Sequence, residues 1–77
     1  MFVVFERNKI TEIINLDNIT EIKCDYYNNI LSMYKDVGVW DNWTFVNWGA
    51  LTNAYNYIID GLHKNKKIII IREGLVE

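Results

Sequence analysis

Apolar and polar positions alternate along most of the first half of the chain, and the period lengthens once, after Val46. Phe2-Val3-Val4-Phe5 is apolar throughout and reads as a short strand, followed by a turn at Asn8-Lys9. Ile10 to Leu16 reads as a second strand, with Ile10, Ile14 and Leu16 on one face and Glu12 intruding among them. Asp17-Asn18 is turn chemistry, because both side chains can bond the local backbone. From Ile19 to Tyr27 the alternation is clean: Thr20, Ile22, Cys24 and Tyr26 point one way, Glu21, Lys23 and Asp25 the other. Asn28-Asn29 suits a hairpin, since asparagine tolerates positive φ, and Ile30 to Lys35 is the returning strand. Asp36-Val37-Gly38 and Asp41-Asn42 read as further breaks, with Val39-Trp40 between them. Trp43-Thr44-Phe45-Val46 is an aromatic strand.

Then the period becomes helical. Leu51, Ala54, Tyr55, Ile58 and Leu62 share one face, and Thr52, Asn53, Asn56, Asp60 and His63 lie opposite. Asn47 is placed as the N-cap, with Val46 and Leu51 as a hydrophobic staple. Lys64 and Lys66 suit the negative end of the helix dipole, and Asn65 suits a left-handed stop. The spacing predicts a helix from Trp48 to Lys64. Lys67 to Arg72 is a last strand containing Ile68-Ile69-Ile70-Ile71, and residues 73–77 read as a tail.

The order is β-β-β-β-β-α-β in a single domain spanning 1–77. The expected class is α+β: a mostly antiparallel sheet of five to six strands carrying one amphipathic helix, open to curling into a half-barrel. If Phe45 and Ile69 sit on parallel strands of one sheet, the connecting helix crosses right-handed. The tetrapeptide Ile-Thr-Glu-Ile occurs at 10–13 and again at 19–22, a spacing that suits two strands of one meander better than a solenoid repeat.

The isoleucine run sets the central problem. A strand with apolar side chains on both faces needs cover on both. One helix covers one face. A curled sheet or a partner molecule must cover the other. An unprotected strand of this kind at a sheet edge invites aggregation, so Phe2–Phe5 and Ile68–Ile71 are expected to be central or paired, with homodimerisation as one solution.

Composition sharpens this picture. The chain has 77 residues, of which 51% are hydrophobic and 14% aromatic, a heavy apolar load for its size. A chain this short is expected to bury only ~63% of its unfolded surface, so the load serves either a dense core or an interface. The net charge of −2 argues against a binder of long nucleic acid. The single cysteine, Cys24, excludes an internal disulfide and fits a reducing compartment. No run approaches membrane-spanning length, and the apolar N-terminal stretch is too short for a signal peptide. A cytoplasmic protein without membrane contact is expected.

Isoleucine, asparagine, lysine and tyrosine are abundant and proline is absent, the composition of an AT-rich genome. The segment Ile13-Ile14-Asn15-Leu16-Asp17-Asn18-Ile19, followed by a hairpin, a helix and the strand opening Lys64-Asn65-Lys66-Lys67-Ile68, resembles uncharacterised small proteins of low-GC Gram-positive bacteria and their phages. That resemblance brings no activity to transfer.

The chemistry-bearing residues do not assemble a catalytic kit. His63 could pair with Asp60 on the helix, but a triad also needs a nucleophile in reach. Cys24 lies on an apolar face, where thiols are inert. The carboxylates do not fall at metal-loop spacing, a lone histidine cannot build a zinc site, and no glycine-rich phosphate loop is present. The chain is therefore expected to be no enzyme and to need no cofactor or metal. The aromatic set is more informative. Trp40, Trp43 and Trp48 fall close together and Tyr57 lies off the helix's core stripe. Each tryptophan is either core or an anchor for a partner. Lys66 and Lys67 sit at the helix end with Arg72 across the last strand, a small basic group. The expected function is non-enzymatic, stoichiometric binding of a protein partner through an aromatic and apolar surface, as in a phage or mobile-element inhibitor of a host defence protein. The alternative is a small-ligand binder that stacks a nucleotide or cyclic nucleotide on Trp40, Trp43, Trp48 or Tyr57 and holds its phosphate with Lys66, Lys67 or Arg72.

Overall fold

The computed structural model describes residues 1–35, 38 and 40–76, the side chain of Trp40 excepted. The turn expected at Asp36-Val37 and the extension at Val39 lie outside the described residues. Strands β1 (Phe2–Arg7) and β2 (Ile10–Asn15) form an antiparallel hairpin, and a 3-10 turn at Leu16–Asn18 leads on to β3 (Ile19–Asp25). β3 pairs antiparallel with β4 (Ile30–Lys35), and β4 with β5 (Trp40–Thr44). Helix α1 (Trp48–His63) follows, and then β6 (Ile68–Ile71).

The six strands form two sheets rather than one, in the orders β2-β1-β6 and β3-β4-β5, and they do not close into a barrel. Both are antiparallel except that β6 runs parallel to β1. Phe45 lies just past β5 and bridges to Leu75, not to Ile69, and the parallel partner of the isoleucine strand is the N-terminal strand. The two Ile-Thr-Glu-Ile segments also separate: β2 and β3 flank the 3-10 turn and enter different sheets.

The core lies between the inner faces of the two sheets and α1. Val3 and Phe5 of β1, with Ile69 and Ile71 of β6, meet Leu31 and Met33 of β4 and Trp43 of β5. Phe45 joins them, and Leu51, Ala54 and Ile58 of α1 complete the cluster. The accessible surface is 5120 Å². A folded chain of this mass is expected to expose about 4,900 Å², so the fold is not a loose one.

Local chemistry explains the element ends. Asn47 Oδ1 accepts from the Ala50 amide at 2.8 Å and caps the helix, whereas Val46 stays exposed and is held by its own amide, which donates to the Gly74 carbonyl. At the other end Asn65 has φ 53°, its amide donates to the Leu62 carbonyl, and the Lys66 amide donates to the Gly61 carbonyl. That pair of bonds is a Schellman stop. Asn29 takes φ 59° in the β3–β4 turn.

Two breaks read from composition are not breaks. Asp41 and Asn42 lie inside β5, where Asp41 pairs with Lys35 at 3.0 Å and Asn42 accepts from the Ser32 hydroxyl on β4. Cross-strand partners remove the penalty these turn-forming residues carry in a sheet. Residues 73–76 are not a loose tail either: Leu75 bridges to Phe45 and is buried, and the Val76 amide donates to the Thr44 carbonyl. Glu12 does intrude on the inner side of β2, opposite Phe5, and is neutralised by an ion pair with Arg7.

Candidate functional site

Strand alternation decides what the β2-β1-β6 sheet shows to solvent. Val3, Phe5, Ile69 and Ile71 point into the core, so Phe2, Val4, Ile68 and Ile70 point out. The register sets Ile13 of β2, Val4 of β1 and Ile70 of β6 in one row, and Asn15, Phe2 and Ile68 in the next. A third row is polar, with Thr11 opposite Glu6 and Arg72 Nε donating to Glu6 Oε2 at 2.8 Å. α1 packs on the inner side, and among the described residues no element crosses the outer one. Ile13 is 64% exposed and Ile68 57%, while Phe2 and Ile70 are also open. The result is a contiguous apolar face built from three neighbouring strands, and contiguous apolar faces, unlike scattered single residues, mark contact sites. β1 is central, as its apolar run required. β6 is not: it is an edge strand made only of isoleucine.

The phase of the β1–β6 ladder fixes which β6 amides are engaged. Phe2 N donates to Lys67 O at 2.8 Å. In a parallel ladder of this register, Ile69 and Ile71 then bond to β1, and the N–H and C=O of Ile68 and Ile70 face the open edge. A cleft of about 640 Å³ runs beside that edge, between α1 and the end of β6. Gly49, Ala50, Ala54 and Tyr57 line its helix side, and Ile70 and Arg72 its strand side.

The residues singled out from sequence fall into separate places. Trp43 is fully buried and stacks on Phe5, so it belongs to the core and not to a contact surface. Trp48 is 61% exposed at the start of α1, with its ring 6.3 Å from that of Tyr26. Tyr57 lies nine residues further along the helix, which at 100° per residue places it about 180° away from Trp48. These two cannot share one patch. Tyr57 instead lies with Lys66, whose Nζ is 5.5 Å from its ring centroid, and lines the cleft together with Arg72. Lys67 is exposed just before β6. The backbone of Trp40 pairs with Tyr34, and its side chain is outside the described set.

Sequence reasoning singled out the runs Phe2–Phe5 and Ile68–Ile71 as needing cover but missed Ile13, which joins Phe2, Val4, Ile68 and Ile70 in one apolar surface. The signal was present in the strands with apolar residues of both parities, Ile13 beside Ile14 and Val4 beside Phe5.

Asp60 pairs with Lys64 at 3.1 Å, not with His63. Burial pushes the Cys24 thiol up, against a smaller opposing pull from a hydrogen bond with Tyr26. Tyr26 is itself raised by desolvation and by the neighbouring Cys24. The Asp25 carboxylate is held below its ordinary value by the Asn28 side chain and by the Asn28 and Tyr27 amides. Among the described residues no group of three acidic, histidine or cysteine side chains could hold a metal ion, and no helix is long and apolar enough to cross a membrane.

No family model matches the chain, and no curated protein and no solved structure matches it either.

Proposed function

We propose that the chain is a non-enzymatic binding protein that engages a protein partner stoichiometrically through the outer face of the β2-β1-β6 sheet. One observation carries this reading: Phe2, Val4, Ile13, Ile68 and Ile70 form a continuous apolar surface over which no element packs among the described residues. Withdrawing such a face from water is favourable by about 25 cal/mol per Å², and an extended flat face suits a protein surface better than a small molecule. An inhibitor carried by a phage or mobile element and directed at a host defence protein is the concrete version of this reading, in keeping with the small size and AT-rich composition.

The test is capture of partners by wild type and by Ile13→Asp, followed by reconstitution from the purified pair. Ile13 is exposed and remote from the β6 edge, so the substitution spares the fold. A fixed stoichiometry and a loss of about tenfold or more in affinity are expected. A reconstituted complex indifferent to Ile13→Asp contradicts the reading.

A second reading rests on the α1–β6 cleft. Tyr57 and Arg72 both line it and Lys66 lies against Tyr57, so a flat anionic ligand such as a nucleotide has a ring and two cations in one place. Glu73 lines the same cleft and Arg72 already binds Glu6, which weakens the cleft as an anion site. Calorimetric titration with a nucleotide panel decides it: heat at micromolar ligand, lost in Arg72→Ala, supports it, and no heat at millimolar ligand removes it.

A further inference from the structure

We propose that the cleft between α1 and the end of β6 binds a small zwitterion, an α-amino acid with an aromatic side chain, rather than a net anion. The inference rests on the second reading, in which this cleft is a small-ligand site, and names its ligand class.

Size and lining come first. The cleft encloses about 640 Å³, within the span of about 300–1,000 Å³ usual for small-ligand clefts. Ala54 and Ile71 line it and are buried, so its floor is apolar, and Ala50 stands beside them. Tyr57 follows Ala54 by three positions on α1 and sets a half-exposed ring on the same wall. An apolar floor with an aromatic ring suits a hydrophobic side chain.

Charge then decides the class. Arg72 and Glu73 both line the cleft, and Lys66 lies against the Tyr57 ring. Glu6 accepts from Arg72 Nε at 2.8 Å, and among the described residues no hydrogen bond engages the two Nη groups. Glu73 has no ion pair among the described residues. The positive charges of Arg72 and Lys66 are thus balanced by the negative charges of Glu6 and Glu73. A nucleotide adds surplus negative charge to this balance and meets Glu73 as a like charge. An ammonium and a carboxylate on one carbon answer both signs: the carboxylate accepts from the Arg72 Nη groups, and the ammonium donates to Glu73. Arg72 and Glu73 are consecutive, which matches the short separation of the two charged groups on such a ligand.

The wall that carries these charges is held before a ligand arrives. Glu6 orients the Arg72 guanidinium. Glu73 precedes Gly74, whose carbonyl accepts from the Val46 amide at 2.8 Å. Gly74 takes φ 79° and lies against Ala50, where a Cβ would collide with the Ala50 side chain. The backbone at Glu73 is therefore pinned to the start of α1. Fixing it in advance lowers the ordering cost of binding.

NMR titration of the purified chain with L-phenylalanine, in mildly acidic buffer, tests the proposal through the amides of Gly49, Ala50 and Gly74. Saturable shifts with a Kd at or below about 1 mM are expected. N-acetyl-L-phenylalanine, a net anion, and L-phenylalaninamide, a net cation, should each bind about tenfold more weakly, because each loses one charge pair. Glu73→Gln should erase the preference for the free amine, and Arg72→Gln the preference for the free carboxylate. Both side chains are exposed, so the substitutions spare the fold. Cleft amides unmoved by phenylalanine at about 10 mM overturn the proposal, and so does equal binding of the blocked ligands. Nucleotide binding lost in Arg72→Ala, without a response to phenylalanine, would sink the zwitterion and leave the cleft a ligand site. No response to either removes the cleft reading and the proposal together.

Discussion

The rings of Phe5 and Trp43 stack with centroids 4.0 Å apart and planes 11° from parallel, and this contact ties the two sheets together. Both side chains are fully buried, one on β1 and one on β5. Trp43 Nε1 is also buried and finds no hydrogen-bond partner among the described residues. An unpaired buried donor costs about 1–3 kcal/mol. Trp43→Phe keeps a ring against Phe5 and removes that donor, so it should change stability by no more than about 1 kcal/mol. Trp43→Ala should cost about 3–5 kcal/mol. Urea unfolding of both variants checks the contrast, and equal losses would contradict it.

Gly61 sits at a close approach of α1 to β6. A Cβ built there lies 2.8 Å from Ile69 Cγ1, and Ile69 is buried in the core. Alanine is the better helix former by about 1 kcal/mol, yet overpacking of this kind costs about 1–3 kcal/mol. Gly61→Ala should therefore be neutral to destabilising, and Ile69→Val in the same chain should recover part of any loss. A clear rise in midpoint denaturant for the single variant would contradict the contact.

Local chemistry was legible in the sequence where a residue settles its own backbone. The caps at Asn47 and Asn65, the turn at Asn29 and the apolar stripe of α1 depend on neighbours a few positions away, and the structure has them. What could not be read was pairing between distant strands. Nothing local sets β6 beside β1, or sends the two Ile-Thr-Glu-Ile segments into different sheets. Asp41 and Asn42 misled because their partners, Lys35 and Ser32, are on another strand. The same limit applies to the candidate surface. The two-sided isoleucine run signalled that cover was needed, but only strand order reveals that β6 is an edge and that Ile13 shares a row with Val4 and Ile70.

Asp25 closes the β3–β4 hairpin. Its carboxylate accepts from Asn28 Nδ2 at 2.8 Å and from the amides of Tyr27 and Asn28 at 3.0 and 3.1 Å. These bonds favour the charged form and lower the folded pKa. The hairpin's share of stability is therefore complete above the ordinary Asp value and fades as pH falls through the lower, folded one. Carboxyl NMR titration should give Asp25 a midpoint below that of the same residue in an unstructured peptide. A midpoint at or above the peptide value would contradict the geometry.

Cys24 is half-buried on the inner side of β3, and burial raises its pKa. At neutral pH the folded chain holds less thiolate than an unfolded one, so alkylation by iodoacetamide should be slower in the native protein and recover in urea. The linkage runs the same way. In alkaline solution the unfolded thiol ionises first, so stability falls as pH rises past the ordinary thiol value. A native thiol that reacts faster than the unfolded one would contradict the assignment.

Amide hydrogen exchange along β6 tests most directly whether this apolar sheet and its open edge form the working surface. Within one chain Ile69 and Ile71 are bonded to β1, whereas Ile68 and Ile70 offer their amides outward. In the complex with a partner covering this sheet and its edge, Ile68 and Ile70 should exchange as slowly as Ile69 and Ile71, and the difference should return when the partner is removed. An alternating pattern of fast and slow amides that persists at every concentration, with or without a partner, would contradict the account.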